Sequence, residues 1–527
     1  MNAAARASAP SSMARVVAAA AALAARSFTL DVRSLAAFRV GLGLVVLADG
    51  ILRCRDAGLM FAPDGFFPPD VVRAFHGTPA AWSLALAGDA AWWGTTVVAA
   101  EAVSGIMLAL GVCTRWSTVA AWALVMSVVQ RTPPATNAGD MWLIAMLFWS
   151  IFLPLGATWS IDARRCRGGG AVASAARSTA SAALVIQIAT VYLGAGLAKC
   201  NASWLSGEAM KHVLSVHDHG NWLGMAIARL GWLSAPVTWL VVAAELSAPF
   251  VLVAVPSTRV RTALVAAFML FHVAIQATMS VGLFAAIGIT AWLAVVPPAA
   301  WTALRVGPPA GPLVGLSPWA GRCCTAALTL AAVSFAHFWG LLGRPPLPRP
   351  LAAAITAIGM SQEWSMFGEV PRQEQWIYGR AVLADGTVVD LLRNGAPLGD
   401  DPPAGGFWSL PHHRWHKFFW VLPRPHVRVF GAPAAAALAR QWNAGHAHDR
   451  QATSLELRFA VRTVGGPPTV QEMLLGSWPD RRDGAGNLDR LLQATDGETR
   501  SGSGVRPDAT TPAGDRAGLP LAPDGRL

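Results

Sequence analysis

The sequence predicts an all-α polytopic membrane bundle of about nine transmembrane helices, followed by a small exported β-rich C-terminal domain. Of its 527 residues, 54% are hydrophobic and 13% are charged, whereas soluble domains carry about 25% charged residues. The chain has 23 tryptophans and two tyrosines, so tryptophan must supply the aromatic belts at the membrane interfaces. Basic residues are distributed unequally over the connecting segments, and this asymmetry predicts the orientation.

The candidate spans are long apolar stretches separated by polar connections. About nine can be recognised by length and composition, with approximate bounds 35–53, 92–112, 116–131, 140–157, 179–199, 234–255, 261–280, 282–299 and 323–342. The joints 111–116 and 257–261 are so short that each must connect antiparallel neighbours. The two long connections, 54–91 and 200–232, fall on one side.

Basic residues favour a cytoplasmic N-terminus. With the N-terminus inside, arginines are concentrated in the inner segments, which contain Arg6, Arg15, Arg26, Arg33, Arg115, Arg164, Arg165, Arg167, Arg177, Arg259, Arg261, Arg305 and Arg322. The outer loops are longer but carry fewer cations. An odd number of spans then places everything after residue 342 outside. We expect a multi-pass protein of a bacterial cell membrane, although an organellar membrane fits the same pattern.

Composition divides the chain into five regions. Residues 1–30 contain Ala, Ser and Arg but no acid, and are interpreted as a disordered or targeting lead and not as a span. The expected order is 1–30 lead, 31–342 transmembrane domain, 343–359 linker, 360–475 exported β-rich domain and 476–527 disordered tail. The linker contains RPPLPRP, which is typical of a stiff, extended segment.

The β-rich domain is predicted from alternating patterns. WIYGRAVLADGTVVDLL (376–392) alternates around Asp385–Gly386, a strong hairpin signal. SLELRFAVRTV (454–464) indicates another strand. After residue 476 large apolar residues become rare, which is typical of disorder.

Ionisable residues inside the spans are the first candidates for function, because they are costly in a membrane. They are Asp49, Glu101, Glu245 and His272, with Lys199 at the end of a span. Each is either a site residue or a paired polar residue that holds helices together. Lys199 is either an interfacial anchor, with its ammonium among headgroups, or a buried base, because burial favours the neutral amine.

Several classes of function are disfavoured. No basic and aromatic residues interleave as on a nucleic-acid surface, and the six cysteines form no CxxC pair. HDHG (217–220) lacks further ligands at a recognisable spacing, so no metal is predicted. PHHRWHKFFW (411–420) has the pattern of an amphipathic membrane-surface segment. Transport is disfavoured because no inverted repeat is visible.

Five motifs in order resemble the HTTM membrane proteins, the superfamily that includes the vitamin K-dependent gamma-glutamyl carboxylases. The motifs are DVRSLAAFRVGLGLVVLADGILR with MFAPDGFFP (31–68), RTPPATNAGDMWLIAMLFWSIFLPLGATWSID (131–162), YLGAGLAKCNASWLSGEAM (192–210), AAELSAPFVLV (243–253) and FHVAIQATMSVGLFAAIGITAWLAVVP (271–297). The resemblance covers about residues 31–300. EWSMFGEVP (363–371) also resembles the start of the exported domain of bacterial members.

The resemblance implies that Lys199 corresponds to the lysine base that deprotonates reduced vitamin K, and that His272 falls at a family histidine. Reduced vitamin K or menaquinol is the implied cofactor, and a Glu-containing exported peptide or protein is the implied substrate. The chain departs from the carboxylases in two places: TNAGDM (136–141) has no histidine, and Ser203 replaces an acid.

Five further residues are expected to bind substrate beside the two catalytic candidates, Lys199 and His272: Asn137, Asp140, Asn201, Trp204 and Glu245. Asn137 and Asp140 belong to a turn on the same side as Lys199. Asn201 could orient the amine or the quinol hydroxyl, and Trp204 could cap the pocket. The small residues in VYLGAGLA (191–198) would allow close helix approach and leave room for a flat ring.

Two functions therefore stay open. One is a quinol-using carboxylase or oxygenase with Lys199 as its base. The alternative is a non-catalytic membrane module whose exported domain binds a lipid, peptide or partner protein. Membrane lipid is a partner in both, and nucleic acid in neither.

Overall fold

The computed structural model describes residues 12–165, 173–215, 219–255, 257–307, 311–343, 345–368, 370, 373–399, 403, 406–463 and 470–480. Within these ranges the chain forms a helical bundle up to residue 358 and a sheet-containing C-terminal domain from residue 373. The segment 359–368, which contains no helix or strand, follows the bundle. The end of the bundle against which the C-terminal domain packs is called the domain end.

Most of the described chain is helical. The helices are α1 (Ser12–Ser27), α2 (Val32–Arg55), α3 (Ala57–Met60), α4 (Pro69–His76), α5 (Ala91–Leu110), α6 (Thr114–Arg131), α7 (Ala138–Ser150), α8 (Ile161–Arg165), α9 (Thr179–Ala198), α10 (Ala202–Leu205), α11 (Ala209–Ser215), α12 (Trp222–Ala228), α13 (Gly231–Val253), α14 (Thr258–Thr278), α15 (Phe284–Leu293), α16 (Pro298–Ala303), α17 (Pro318–Phe338), α18 (Arg349–Ile358), α19 (His413–Val421) and α20 (Gly431–Ala444).

The strands form two sheets. They are β1 (Thr29–Asp31), β2 (Ala175–Arg177), β3 (Leu313–Val314), β4 (Gln373–Leu383), β5 (Val388–Asp390), β6 (Ala396–Pro397), β7 (Ala452–Thr463) and β8 (Val470–Trp478). Strands β1–β3 make a small sheet at the end of the bundle away from the C-terminal domain, and the other five make an antiparallel sheet in the order β6-β5-β4-β7-β8.

The bundle is that of a multi-pass membrane protein. Six described helices are long and apolar enough to cross a membrane: α2, α5, α9, α13, α14 and α17. The expected count of about nine spans is not confirmed. Helix α6 has 18 residues, whereas α7 has 13 and α15 has 10. At 1.5 Å per residue, α7 and α15 are shorter than the roughly 30 Å apolar core of a bilayer.

Small residues allow α2 and α5 to pack closely. A Cβ atom at Gly105 would lie 2.5 Å from the Leu47 nitrogen, and one at Gly50 would lie 2.8 Å from the Ala102 Cβ. Real side chains cannot occupy such positions, so glycine permits the backbones to approach. Small residues at helix contacts are typical of membrane bundles, where van der Waals packing drives association.

The predicted lead and linker both contain helix. Residues 12–27 form α1, and residues 1–11 lie outside the described part of the chain. In the predicted linker, α18 begins after Pro348 and ends at Gly359, whose φ of 69° is the left-handed conformation that glycine adopts readily. Proline at the start and glycine at the end are helix boundary signals. Both signals are present in residues 343–359, so the prediction of an extended linker was wrong for the part that forms α18.

The C-terminal domain contains the predicted hairpin and strand. Asp385 and Gly386 form the turn between β4 and β5, and β7 covers the second predicted strand. The domain also contains α19 and α20, and α20 packs on β7 and β8, so it is not built from strands alone. Strand β8 continues to Trp478, and residues 481–527 of the predicted tail lie outside the described residues.

Helix α19 corrects the membrane-surface interpretation of residues 411–420. Trp415, Phe418 and Phe419 are buried in one apolar cluster with Phe66 and Phe67 of the long connection after α2. The Phe66 and Phe418 rings stack with centroids 5.5 Å apart. The amphipathic pattern therefore reflects packing between the C-terminal domain and the bundle.

Candidate functional site

Lys199 ends α9 and is buried at the domain end of the bundle. Its side chain is 2% exposed, so the ammonium does not reach the surface as a headgroup anchor would. The Nζ atom lies 3.1 Å from Oε1 and 2.9 Å from Oε2 of Glu245. It also donates to the carbonyls of Ala195, at 3.3 Å, and Met366, at 2.8 Å. The ion pair and these two carbonyls together provide acceptors for the three N–H groups of an ammonium.

Glu245 approaches from the middle of α13, which packs along α9. A Cβ at Gly196 would lie 2.8 Å from Leu246 Cδ2, so glycine allows α13 to come this close. The predicted close approach is therefore present. The space predicted for a flat ring is filled, because a Cβ at Gly194 would lie 2.6 Å from the Trp364 Cβ.

Asn201 and Trp204 hold the same segment as Lys199. Asn201 caps α10, and its Nδ2 donates to the Gly368 carbonyl at 2.7 Å. The Trp204 Nε1 donates to the Phe367 carbonyl at 2.8 Å, and the Lys199 Nζ lies 5.1 Å from the Trp204 ring centroid. Three side chains predicted as site residues thus bind three successive carbonyls, those of residues 366, 367 and 368.

His272 lies in a separate aromatic cluster. Its Nε2 is hydrogen-bonded to the Tyr192 hydroxyl, which also accepts from the Trp292 Nε1 at 2.6 Å. Trp142 and Phe268 complete the cluster through edge contacts with Tyr192. Tyr192 precedes Lys199 by seven residues, which is about two turns, or roughly 10 Å along α9. The helix therefore connects His272 to Lys199 through Tyr192, without a direct contact among those described.

Asn137 and Asp140 make different contacts. The Asn137 side chain accepts from the Gly139 and Asp140 amides and Asp140 accepts from the Asn137 amide, which is a capping box at the start of α7. The Asp140 carboxylate also binds Arg414 of α19, at 2.8 Å and 3.2 Å. Neither residue contacts Lys199 among the described contacts.

Arg414 is the centre of a buried ion network at the domain end. Its second carboxylate partner is Asp49 of α2, and Asp49 in turn accepts from Arg53 at 3.0 Å. Arg53 lies 3.7 Å from Asp140. These two arginines and two aspartates are called the arginine network. Glu101 of α5 is buried beside it.

His219 and His416, called the histidine group, pack together where the Lys199 region meets α19. The His219 ring packs against Phe367 and His416, with centroid distances of 5.0 Å and 5.2 Å. Burial, together with the nearby Lys417 charge, lowers the pKa of His219 to about 4. Burial and the charge of Arg424 lower the pKa of Lys417 to about 8. Within the described ranges no three His, Cys, Asp or Glu side chains come together in a way that could hold a metal ion; His217 and Asp218 lie outside those ranges.

Some contacts in this region were not predicted from the sequence. The carbonyls of residues 366–368 carry no side-chain signal. Arg414 was hidden in a segment interpreted as membrane-bound. Tyr192 could have been noticed, because it is one of two tyrosines in the chain and lies in a span two turns before Lys199.

The fold and these contacts define a multi-pass membrane protein with a buried lysine–glutamate pair where its helical bundle meets a sheet-containing C-terminal domain. Residues 29–301 match the HTTM domain, which is more than half of the chain. The protein therefore belongs to the HTTM family, as the motifs predicted. No curated protein and no solved structure matches the chain.

Proposed function

We propose that the protein is a membrane enzyme in which Lys199 acts as a general base toward the hydroxyl of a reduced quinone. The observation that carries the proposal is the enclosed Lys199–Glu245 pair. An ammonium beside a carboxylate in a site shielded from water can transfer its proton to that carboxylate. Both products are neutral, and burial disfavours charges more than neutral groups. The neutral amine is then available as a base.

The donor set around Lys199 suits a quinol of the vitamin K or menaquinol type. Lys199 and Glu245 offer an acceptor and a proton store for a hydroxyl, and Trp204, Trp364 and Leu246 offer apolar walls. A bound quinol would supply reducing electrons and an acidic hydroxyl. The residues of this chain would orient that hydroxyl, exclude water and store its proton.

The reaction class follows from family membership. HTTM proteins include the vitamin K-dependent carboxylases, so we propose carboxylation of a glutamyl side chain in an exported peptide or protein, with dioxygen as the oxidant of the quinol and CO2 adding where the γ-proton leaves, or a related oxidation. His272 would act two turns away through Tyr192, as a residue that positions α9. Asn137 and Asp140 would act on substrate only indirectly, through Arg414 and α19.

Labelled CO2 tests the proposal. Purified protein is incubated with reduced vitamin K or menaquinol and a Glu-containing peptide, and incorporation of label is measured. We expect Lys199→Ala and Lys199→Arg to abolish incorporation, the latter because a guanidinium does not release its proton. The control is Lys211→Ala, since Lys211 is exposed. Full activity in the Lys199→Arg variant would refute the role of Lys199 as a base.

A second function is favoured by one specific observation. Glu245 and the carbonyls of Ala195 and Met366 provide one acceptor for each N–H of the Lys199 ammonium, as expected for a purely structural pair. In that case the protein is a non-catalytic module whose C-terminal domain binds a lipid, peptide or partner protein. Lack of label incorporation in the unmodified protein, with folding intact, would favour this function.

We also propose the orientation given by the basic residues, with the N-terminus in the cytoplasm and the C-terminal domain outside a bacterial cell membrane. The asymmetry of arginines supports it, as does the packing of α19 against the connection 54–91, which was predicted on the outer side. Protease added to right-side-out vesicles should cleave the C-terminal domain. Protection of that domain would reverse the proposed orientation.

A further inference from the structure

The segment after α18 runs without regular structure along the bundle, with Gln362, Trp364 and Gly368 buried and Glu363 and Ser365 exposed. It turns at Gly359 and then lies along α9, where the Gln362 and Gln187 amides exchange hydrogen bonds of 2.8 Å and 3.1 Å. Trp364 lies against Gly194, and Gly368 against Ala198. Gln187 is near the middle of a membrane-length helix.

We propose that residues 364–368, called the plug, occupy the ligand site beside Lys199 in a closed state. A ligand oxygen would take the place of the Met366 carbonyl at Nζ when the plug withdraws. The ligand class is a flat, largely apolar molecule with one hydroxyl or carbonyl oxygen. This inference rests on the proposed function for the identity of the ligand, but not for the existence of the plug.

The contacts of Nζ identify which partner can be displaced. Ala195 lies in α9, four residues before Lys199, so its carbonyl moves with the lysine. Glu245 lies in α13, which packs along α9, and is needed to hold the proton. Only the Met366 carbonyl comes from a segment outside the helices. It is therefore the acceptor that a ligand can replace while the ion pair stays intact.

The plug fills space beside the small residues of α9 that precede Lys199. Trp364 is buried beside Gly194, where the small residues of α9 were expected to leave room for a ring. Two cavities elsewhere, about 410 Å³ between residues 55–65 and α20 and about 80 Å³ near α1, are not lined by Lys199. The Cβ and the backbone of Trp364 thus fill the space at Gly194 in which a flat ligand was expected.

The closed state depends on a few specific contacts. Phe367 has a φ of 55°, an unfavourable conformation for a residue with a side chain. Trp204 holds its carbonyl, and His219 packs against its ring. Such a conformation persists only while its surroundings impose it. Loss of these contacts should therefore favour withdrawal of the plug.

A reversible cross-link tests the plug without any quinol. Cysteines replace Ala198 and Gly368, whose Cβ positions lie 3.0 Å apart, slightly below the roughly 3.5–4.5 Å of a disulfide. The background carries Cys200→Ser, because Cys200 lies nearby. A small neutral acylating reagent is added, and modification of Lys199 and the exposed Lys211 is followed by mass spectrometry.

Lys199 should react at least about tenfold more slowly in the oxidised than in the reduced protein, because the amine is reached only through local opening. Lys211 should react equally in both. Equal rates at Lys199 in the two states would overturn the proposal. So would a complete lack of reaction in the reduced protein, since the plug would then not open.

Trp204→Phe tests the same idea without a cross-link. The variant removes the hydrogen bond to the Phe367 carbonyl, and modification of Lys199 should become about fivefold faster, the factor expected for one lost hydrogen bond. The matched control is Trp222→Phe, because Trp222 is 75% exposed. An unchanged rate in Trp204→Phe would contradict the plug.

A final arm separates the plug from the proposed function. A short-chain reduced naphthoquinone is added to the oxidised and reduced forms of the cross-linked protein. Protection of Lys199 in the reduced form supports both proposals. If modification of Lys199 depends on the cross-link but the naphthoquinone does not slow it, the plug is supported and the quinol site is refuted.

Discussion

The Lys199–Glu245 pair and the arginine network are both buried at the domain end, but they differ in whether a proton can be transferred between the paired groups. The network pairs two arginines with two aspartates, and a guanidinium stays charged at any physiological pH. The other site pairs one lysine with one glutamate and fills the remaining positions with carbonyls. A network without a transferable proton suits attachment of a domain, whereas a lysine–carboxylate pair suits chemistry.

The largest expected effect comes from breaking the arginine network. Arg414→Leu would remove the cation that contacts both Asp49 and Asp140 most closely and leave Arg53 to neutralise the two carboxylates. Removing one partner of a buried ion pair costs about 3–5 kcal/mol, so unfolding of the purified protein should begin at a much lower temperature. The matched variant is Arg428→Leu, elsewhere in the same domain. Equal melting temperatures for the Arg414→Leu variant and the wild-type protein would show that α19 is not attached through these charges.

A double substitution tests whether the lysine pair is needed for stability. Lys199→Met with Glu245→Leu replaces both charges by apolar side chains of similar size, which is often neutral for stability. We expect the free energy of unfolding to stay within about 2 kcal/mol of wild type, while Glu245→Leu alone loses about 3–5 kcal/mol. Chemical denaturation in detergent measures both. If the double variant were as unstable as Glu245→Leu alone, the Lys199–Glu245 pair would be needed for stability.

The smallest effect concerns the histidine group. Burial and the Lys417 charge hold the pKa of His219 at about 4, below the reference of about 6.5 for an unfolded chain. Between these values the unfolded state binds the extra proton, so stability is full above about pH 6.5 and falls as the pH decreases towards 4. His219→Phe should reduce this loss by about 1 kcal/mol per pH unit. Thermal unfolding of both proteins across this interval provides the comparison, and identical slopes would contradict the role of His219.

The sequence predicted the long helices of the bundle better than the contacts between them. Long apolar segments and the Asp385–Gly386 turn carry strong local signals: six of the roughly nine predicted spans appear as helices of membrane length, and the turn joins β4 to β5. Glu245 and Lys199 were each recognised as unusual, but nothing in their spacing indicated a pair, because they lie 46 residues apart on different helices. Burial of α7 and α15 between longer helices allows them to be short, which no hydropathy pattern reveals.

The segment 359–368 was hidden for a different reason. Lys199, Trp204 and Asn201 bind its backbone carbonyls, which carry no side-chain signal, and its residues from 360 onward were assigned to the exported domain. Arg414 was misinterpreted because an amphipathic helix has the same pattern whether its apolar face meets lipid or another part of the protein. Only the partners, Phe66 and Asp49, distinguish the two cases.

Gly288 has a consequence for how this fold varies among related sequences. A Cβ atom at this position would collide with the imidazole of His272. Any larger residue at 288 therefore requires a different side chain at 272 or a displaced helix. The two positions are expected to change together during evolution, so a relative without this glycine is expected to lack the imidazole that meets Tyr192 unless the helix that carries position 288 is displaced.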